Sequence, residues 1–586
     1  MTTARREALA IAISTLVGAV LRLWSFGRLG LSHFDEGIYA IAGLWSSDPA
    51  GLASLDPKVI PYYAPPGFPI LVGIGYLILP WGISDLSAIF VAELCAIATI
   101  PVVGWLGRRT FGPGAGAAAS ALATWSGQHV AFARMAMTDA PFLLAWLVAL
   151  GLGGRFLERP TIGRAIALGV SVGVAMNLKY NGWLAGVIVA VAAMFGTGKG
   201  RGRTLGLLGI AAAVAIVSYL PWFLFVERHD GYRALLRHQR SYAGGLSTWL
   251  PHLLAQLDQS VALSGGWTWV AIGWALACST AMATTVGRVP PGAVVSLARS
   301  RGRIALFETA AMALWPAFLW WTCLFWVVSG RCAGPFRRLL AVAWVVLSIL
   351  TPFYHPYARL WLPVLAAGWI IAGGIIAAEM KGEPGLTGEG KRMGRLRTAL
   401  FVAAAVACLL TLVSRIRTIQ HRPGPPGSGW AFVEPQPRPG LLRPTDGLRV
   451  AVTTRLVPRL RGDKVDSLVV LARPSALFYL ASTWDRPSRR LPDFETVFRL
   501  NDDSRWALLD VALLAQEASL ANAEDPARAV SDRLARQGWV ERLRLKAPAA
   551  LPTVLDIELG NPSLRRSQAE PTDLFLYERA RGNPRR

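Results

Sequence analysis

Charged residues are scarce in this sequence. They make up 16% of its 586 residues, against roughly 25% in an average soluble protein. Hydrophobic residues make up 53% and the mean hydropathy is +0.40, which argues against an ordinary soluble enzyme. Acidic residues are scarcer than basic ones. The sequence has 36 Asp and Glu against 60 Lys and Arg, which gives a net charge of +24. That balance is typical of a nucleic-acid binder, or of a membrane protein whose basic residues stand on the cytoplasmic side.

Cysteine is also rare, and no two cysteines have the C-x-x-C spacing of a metal or redox site. The five cysteines lie in or beside apolar stretches, so we interpret them as small apolar residues. The C-terminal region has no zinc-finger spacing and no aromatic-basic RNA motif. We therefore expect no cysteine-bound metal or redox site and no nucleic-acid partner, and we attribute the surplus positive charge to membrane orientation.

Long apolar runs fill the first 415 residues. Runs near the length that crosses a bilayer core recur from 8–27 to 398–415. They predict a polytopic α-helical membrane protein with about 11–13 transmembrane helices. The basic, apolar start resembles a signal peptide, but no small-residue cleavage site follows, so we predict a first membrane helix with its N-terminus inside. The membrane domain would extend over residues 1–419.

The last part of the chain has a different composition. Residues 420–446 are rich in Pro and Gly and predict a linker. Residues 447–586 mix charges with short apolar runs, which predicts a soluble α/β domain of ordinary size. Within it, KVDSLVVLARPSALFYLA predicts a strand and then a helix from about Ser475, and PARAVSDRLARQGWVERLRL predicts a helix and then a strand. TVLDIEL and DLFLYERA predict further strands.

Basic residues between the apolar runs set the topology by the positive-inside rule. The loops that carry them alternate correctly only if residues 67–83 do not span, so we predict an interfacial or re-entrant helix there. Arginines also stand on both flanks of the apolar run at 305–330. They predict a second re-entrant segment there, broken at Pro316. With this topology, loops 28–84 and 227–262 and the C-terminal domain lie on the outer face of the cell inner or plasma membrane.

A few ionisable residues remain in this apolar background, and each has an ordinary explanation. Asp35 and Asp139 would cap helices, and Lys179 and Arg359 would anchor helix ends at the interface. Yet the predicted topology puts all four on the outer face, against the positive-inside trend. Ionisable residues at membrane depth are costly and usually pair or serve a site. We therefore interpret them as parts of one functional site.

The same positions carry a family resemblance. The motifs FDEGIYA, YYAPPGFP, ARMAMTDAP, NLKYNG and YARLWLP occur in this order across roughly residues 20–380. They resemble the GT-C superfamily of lipid-linked-sugar glycosyltransferases, above all the protein O-mannosyltransferases and the 4-amino-arabinose lipid A transferases. Two positions depart from the family pattern. Ala64 stands where the family often has His, and Glu93 lies in a helix where the family often has Arg.

The resemblance implies a fold and a reaction. The fold would be GT-C-like, and the reaction would move a sugar from a polyprenyl-phosphate donor in the membrane lipid to an acceptor hydroxyl. Transfer would invert the anomeric carbon and occur at the outer membrane face. Asp35 would act as general base, with Glu36 and Asp139 orienting the base, the acceptor or Arg134. Cations rather than a metal would stabilise the leaving phosphate.

The resemblance also implies two sets of binding residues. The implied donor-phosphate set is Lys179, Arg359, Tyr357, His355 and Arg134. The implied lipid groove is Tyr62, Tyr63, Pro65, Pro66 and Phe68. The acceptor stays open between a protein, a lipid and a glycan, and the sequence does not name the sugar.

Two other functions fit the same features. A transporter or flippase would also have many helices and intramembrane charges. Transporters tend to place charges near the midplane and often contain internal repeats, and we see no repeat. A metal-dependent oligosaccharyltransferase of the same superfamily would hold a divalent cation with Asp35, Glu36 and Asp139. We favour the metal-free glycosyltransferase, which needs no cofactor, over the one with a divalent cation.

Overall fold

The fold is taken from a computed structural model of the chain. The residues that it describes are 2–24, 26–28, 30–31, 34–47, 64–196, 201–228, 231–240, 242–263, 276–281, 283–285, 316–328, 332–380, 447–484, 488–490, 505–510, 526–547 and 572–580. The predicted linker at 420–446 and the predicted strand at 553–559 lie outside these residues. So do residues 286–315, which include the part of the predicted re-entrant segment that precedes Pro316.

The amino-terminal part is a bundle of helices. The helices are α1 (Thr3–Leu23), α2 (Phe34–Ser47), α3 (Gly67–Ile78), α4 (Asp85–Phe111), α5 (Ala115–Trp125), α6 (Gly127–Ala133), α7 (Asp139–Glu158), α8 (Ile162–Leu178), α9 (Leu184–Met194), α10 (Arg201–Arg228), α11 (Gly231–Arg240), α12 (Leu246–Leu263), α13 (Pro316–Val328), α14 (Pro335–Leu350) and α15 (Leu362–Met380). Turns of 3₁₀ helix at Tyr180–Trp183 and Ala358–Trp361 lead into α9 and α15.

Several of these helices are long and apolar enough to cross a membrane. Within the described part of the chain there are five: Asp85–Phe111, Asp139–Glu158, Gly202–Arg228, Pro335–Phe353 and Ala358–Ala378. The chain is therefore a multi-pass α-helical membrane protein, as predicted. By contrast, α3 has 12 residues and extends about 18 Å at 1.5 Å per residue, against a bilayer core of about 30 Å. The interfacial or re-entrant placement of residues 67–83 stays a prediction.

Close backbone contacts hold the centre of the bundle. Helix α5 is buried along its whole length from Ala115 to Thr124, and it packs between α1, α4 and α15. A Cβ added at Gly116 would lie 2.4 Å from the Gly104 oxygen, and one added at Gly373 would lie 2.7 Å from the Ala115 oxygen. Small residues let membrane helices approach in this way. The tight packing fixes α15, whose amino-terminal end lines the cavity described below.

Helix α2 carries Asp35 and Glu36, and the apolar spacing that follows them in the sequence predicts a short amphipathic helix in the outer membrane interface, with an exposed face. Its residues from Glu36 to Leu44 are all buried. Helix α3 covers one side of it, and a helix of the C-terminal domain covers another. The sequence pattern predicted an exposed face because it does not show that a distant domain packs on this helix.

The C-terminal part is an α/β domain. Its helices are α16 (Gly447–Val450), which continues through a π-helical turn at Ala451–Leu456 into α17 (Val457–Gly462), then α18 (Pro474–Thr483) and α19 (Pro526–Ala535). Its strands are β1 (Leu468–Leu471), β2 (Ser488–Arg490), β3 (Trp506–Asp510), β4 (Trp539–Ala547) and β5 (Thr572–Arg579). The sheet order is β2-β1-β3-β5-β4, with β1 parallel to β2 and β3, and β5 antiparallel to β3 and β4. These bounds confirm the predicted β1–α18 and α19–β4 units and the strand in DLFLYERA.

A buried ion pair supports this domain and gives a stability prediction. Asp510, at the end of β3, is fully buried, and its Oδ2 lies 2.9 Å from Arg473 Nε. We expect Asp510→Ala to lower the free energy of unfolding by about 3 kcal/mol, because it leaves a partly buried guanidinium without this partner. Urea unfolding of the full chain measures the change, with the susceptibility of the C-terminal domain to proteolysis as the readout.

The exposed pair of Arg459 and Asp463 is the matched control for this prediction. Its Nε–Oδ2 distance is 2.7 Å, and the Arg459 side chain is 51% exposed. Exposed pairs contribute less than about 1 kcal/mol, so Asp463→Ala should change little. Equal losses in the two variants would contradict a structural role for the buried pair.

Candidate active site

Asp35 and Arg359 form one ion pair at the centre of the site. Asp35 lies in the first turn of α2, where an acid is favoured by the helix dipole. Arg359 lies in the 3₁₀ turn before α15, and Gln128 anchors that turn by donating to the Ala358 oxygen at 2.6 Å. Arg359 Nη1 donates to Asp35 Oδ2 at 2.9 Å, with side-chain exposures of 16% and 23%. The pair is partly shielded but open to a ligand.

Lys179 and Asp139 form the second ion pair. Asp139 begins α7, and Lys179 follows the last residue of α8. Lys179 Nζ lies 2.5 Å from Asp139 Oδ1, and the Asp139 side chain is 1% exposed against 22% for Lys179. The ammonium also lies 5.7 Å from the centroid of the Phe142 ring. Asp139 thus does more than begin a helix, since it holds a lysine whose head group still reaches solvent.

A cavity of about 450 Å³ joins the two pairs. Asp35, Lys179 and Arg359 all lie on its wall. Much of the remaining wall is apolar, and the residues concerned are Phe142, Trp146, Leu178, Leu184, Leu347, Leu350, Leu360 and Pro363. Phe142 and Trp146 follow Asp139 by about one and two turns along α7. The cavity therefore combines charged groups with an apolar slot that extends along a membrane-crossing helix.

The segment before Arg359 supplies aromatic groups. Tyr357 lines the cavity, and the Arg359 guanidinium lies 4.8 Å from the centroid of its ring. His355 is not among the lining residues. Its amide donates to the Tyr242 oxygen at 2.8 Å, and its ring lies 4.5 Å from the Tyr357 ring. His355 therefore packs against Tyr357 but is not itself a cavity-lining residue.

Two other sequence-predicted residues point away from the cavity. Glu36 is fully buried, and its Oε1 accepts a hydrogen bond from the Ala136 amide at 2.9 Å. Arg134 donates to the Trp24 oxygen at 2.6 Å and lies near Glu93. The short helix α6 turns the chain at Ser126, so that Arg134 faces α1 and α4 instead of Lys179. Both residues brace the turn that leads to Asp139.

The predicted lipid groove is only partly represented. Tyr62 and Tyr63 lie outside the described residues. Pro65 lines the cavity, whereas Pro66 precedes α3. Phe68 is fully buried against Tyr39, with ring centroids 5.5 Å apart. Pro65 is therefore the member of this predicted set that is seen on the cavity wall.

Several lining residues were missed from the sequence. Gln239 and Tyr242 come from the loop predicted at the outer face, and Tyr354 Oη donates to Gln239 Oε1 at 2.6 Å. Asn181 lines the cavity two residues after Lys179, and its Oδ1 is buried with no hydrogen-bond partner among the described residues. Proximity to NLKYNG was the available signal for Asn181. Nothing in the sequence marked Gln239.

No group of three His, Cys, Asp or Glu side chains suited to hold a metal ion is found within the described ranges. Asp35 and Asp139 each contact a cationic side chain instead.

Comparison with known proteins agrees with this architecture. Residues 63–225 match the family model for dolichyl-phosphate-mannose-protein mannosyltransferase, a span that includes Asp139 and Lys179. The structure of ArnT from Cupriavidus metallidurans bound to undecaprenyl phosphate is similar over 98% of this chain and 98% of its own, with 14% identity and a TM-score of 0.54. The chain has a GT-C fold.

Among other GT-C structures, the oligosaccharyltransferase AglB from Archaeoglobus fulgidus, in complex with an inhibitory peptide and a dolichol-phosphate, covers 92% of this chain and 73% of its own. Its identity is 12% and its TM-score is 0.46. No curated protein matches the sequence. The GT-C resemblance predicted from the short motifs is thus confirmed by the family model and by the fold shared with ArnT.

Proposed function

We propose that this GT-C protein is a glycosyltransferase that moves a sugar from a polyprenyl-phosphate donor to an acceptor hydroxyl at the outer membrane face. The observation that carries the proposal is the cavity, which combines two cationic side chains, a carboxylate and a long apolar wall. A lipid phosphate needs this combination, because its isoprenoid chain prefers an apolar slot and its phosphate needs cations. Undecaprenyl phosphate is bound in the similar structure of ArnT.

Lys179 and Arg359 would bind the donor phosphate. Charge-assisted hydrogen bonds to phosphate are among the strongest available to a side chain, and the guanidinium fork matches two phosphate oxygens. The two cations belong to different elements that meet at one cavity. They would stabilise the charge that the phosphate gains as it leaves.

Asp35 would act as the general base. The acceptor oxygen attacks the anomeric carbon while the bond from that carbon to the phosphate oxygen breaks. The leaving phosphate keeps the electron pair, and Asp35 takes the acceptor proton. Attack from the face opposite the phosphate inverts the anomeric carbon. In this proposal Lys179 and Arg359 offset the charge of the leaving phosphate, so the step needs no metal ion.

A donor panel tests the proposed function. Purified protein in detergent or nanodiscs is incubated with several polyprenyl-phosphate sugars and an acceptor extract, and loss of each donor is measured by mass spectrometry. We expect one donor to be consumed and free polyprenyl phosphate to accumulate. Movement of lipid-linked sugar across vesicles without any consumption would contradict the proposal and support a flippase.

A further inference from the structure

The helix that carries Asp35 is in direct contact with the C-terminal domain. Helix α18 lies against α2, and the two backbones touch. A Cβ added at Gly37 would lie 2.2 Å from the Ser475 nitrogen and 2.4 Å from the Pro474 carbonyl carbon. Glycine is the residue that permits such an approach. The contact therefore depends on a residue only two positions from Asp35.

Asp85, the first residue of α4, forms the polar centre of the same interface. Its Oδ2 accepts hydrogen bonds from Arg449 Nη1 at 3.1 Å and from Tyr479 Oη at 3.0 Å. The Asp85 side chain is 3% exposed. A carboxylate buried to this degree requires charged or hydrogen-bonding partners. Two of its partners come from the C-terminal domain.

The same two side chains also hold the chain that precedes Asp35. Tyr479 Oη accepts a hydrogen bond from the Leu31 amide at 2.8 Å, and Arg449 Nη2 donates to the Gly27 oxygen at 3.0 Å. Burial raises the pKa of the Tyr479 phenol well above its usual value, and the Asp85 charge adds to this rise. The phenol therefore stays protonated and can donate to Asp85.

We propose that the C-terminal domain positions the general base. It grips Asp85 and packs on Gly37, and so holds α2 with Asp35 at the cavity wall. Asp85, Arg449 and Tyr479 act as positioning residues, and none of the three lines the cavity. The proposal rests on the proposed function, in which Asp35 accepts the proton.

Positioning of this kind affects the chemical step more than donor binding. A displacement of about 1 Å at a reacting group can cost about 100-fold in rate. The cations assigned to the donor phosphate lie on the segments before α9 and α15, and the main packing partners of α18 in the described part of the chain are other elements. Loosening α2 should therefore lower kcat while leaving the KM for donor nearly unchanged.

Gly37→Ala is the first test, because it separates the two backbones without removing any polar group. We expect kcat for sugar transfer to fall about tenfold or more, with the KM for donor within about twofold. Gly462→Ala, in the C-terminal domain and away from this interface, is the matched control, since a Cβ there meets no atom within 4 Å. It should behave as the wild type.

Asp85→Asn and Tyr479→Phe form the second test, with a readout that does not need activity. Hydrogen exchange is measured for the amides of residues 34–47, and transfer kinetics are measured in parallel. Both variants should exchange faster in this helix and lose kcat by about tenfold or more. Asp85→Glu keeps the charge and should recover part of the rate. Asp463→Asn, in the exposed pair of the same domain, should change neither quantity.

Faster exchange of α2 with an unchanged kcat would overturn the proposal, and so would unchanged exchange in Asp85→Asn and Tyr479→Phe together. Failure of the proposed function gives a different result. In that case the wild type consumes no polyprenyl-phosphate sugar, or Asp35→Asn keeps full transfer, whatever the exchange of α2.

Discussion

Replacing Asp35 by asparagine should lower sugar transfer by about 10²- to 10⁴-fold, the usual contribution of a positioned general base. The amide has nearly the same shape as the carboxylate but cannot take the acceptor proton. Donor binding should persist, because Arg359 loses a competing partner and keeps its own charge. Transfer kinetics and binding of polyprenyl phosphate to the purified variant measure the two effects separately.

Glu227→Gln is a suitable control for Asp35→Asn. Glu227 lies at the end of α10, where its Oε1 accepts a hydrogen bond from the Tyr232 amide at 3.0 Å, and it does not line the cavity. It should retain near wild-type transfer. If Asp35→Asn is folded, membrane-inserted and fully active, Asp35 is not the base and the mechanism is wrong.

The second large effect is expected at Lys179, where charge and stability must be separated. Lys179→Met should reduce transfer about 100-fold or more by removing a cation from the leaving phosphate. It should also destabilise the fold by about 3–5 kcal/mol, because Asp139 is left as an unpaired buried carboxylate. A single variant therefore cannot show which effect lowers activity.

The double variant Lys179→Met with Asp139→Asn resolves this. Removing both charges should restore most of the stability, because a neutral amide is cheaper to bury than an unpaired carboxylate. Transfer should stay low, since the cation is still missing. Thermal unfolding in detergent and transfer rates are compared across the single and double variants. Recovery of transfer in the double variant would show that Lys179 serves only to neutralise Asp139.

The sequence placed Asp35, Asp139, Lys179 and Arg359 on one membrane face but could not pair them. The partners are 40 residues apart in one pair and 324 in the other. Positive-inside counting gives the side of the membrane on which a residue lies, but it carries no information on which helix ends are neighbours. The pairing follows from the packing of α7 on α8 and of α2 near the turn before α15.

Arg134 lies apart from the cavity, although it shares a motif with Asp139. It stands five residues before Asp139 in ARMAMTDAP, and the family resemblance implied that it binds the donor phosphate. In the structure the turn after α6 sends its side chain toward Trp24 and Glu93. Local spacing within an irregular turn does not fix side-chain direction, as it does within a helix or a strand.

The docking of α18 on α2 could not be predicted from patterning. The strand and helix of the C-terminal unit were predicted from alternation and periodicity, and their bounds are close to those expected. The contact of α18 with α2 could not be predicted in this way. At Gly37 it is a contact between backbones, so no side-chain pattern in the sequence marks it. Single glycines in an amphipathic helix have many causes, so Gly37 alone did not indicate an interface.

The ion pair between Asp35 and Arg359 has a kinetic consequence. While the pair is closed, the base is occupied by the same cation that would receive the donor, so the free enzyme is a poor catalyst for abstracting protons from a hydroxyl or from water. A lipid phosphate that engages Arg359 releases the carboxylate. We therefore expect compulsory-order kinetics, with donor before acceptor. When acceptor is absent, the released carboxylate can act on water, so we expect a slow but measurable hydrolysis of the donor. Initial rates with both substrates varied, and product inhibition by free polyprenyl phosphate, would reveal random addition if this expectation is wrong.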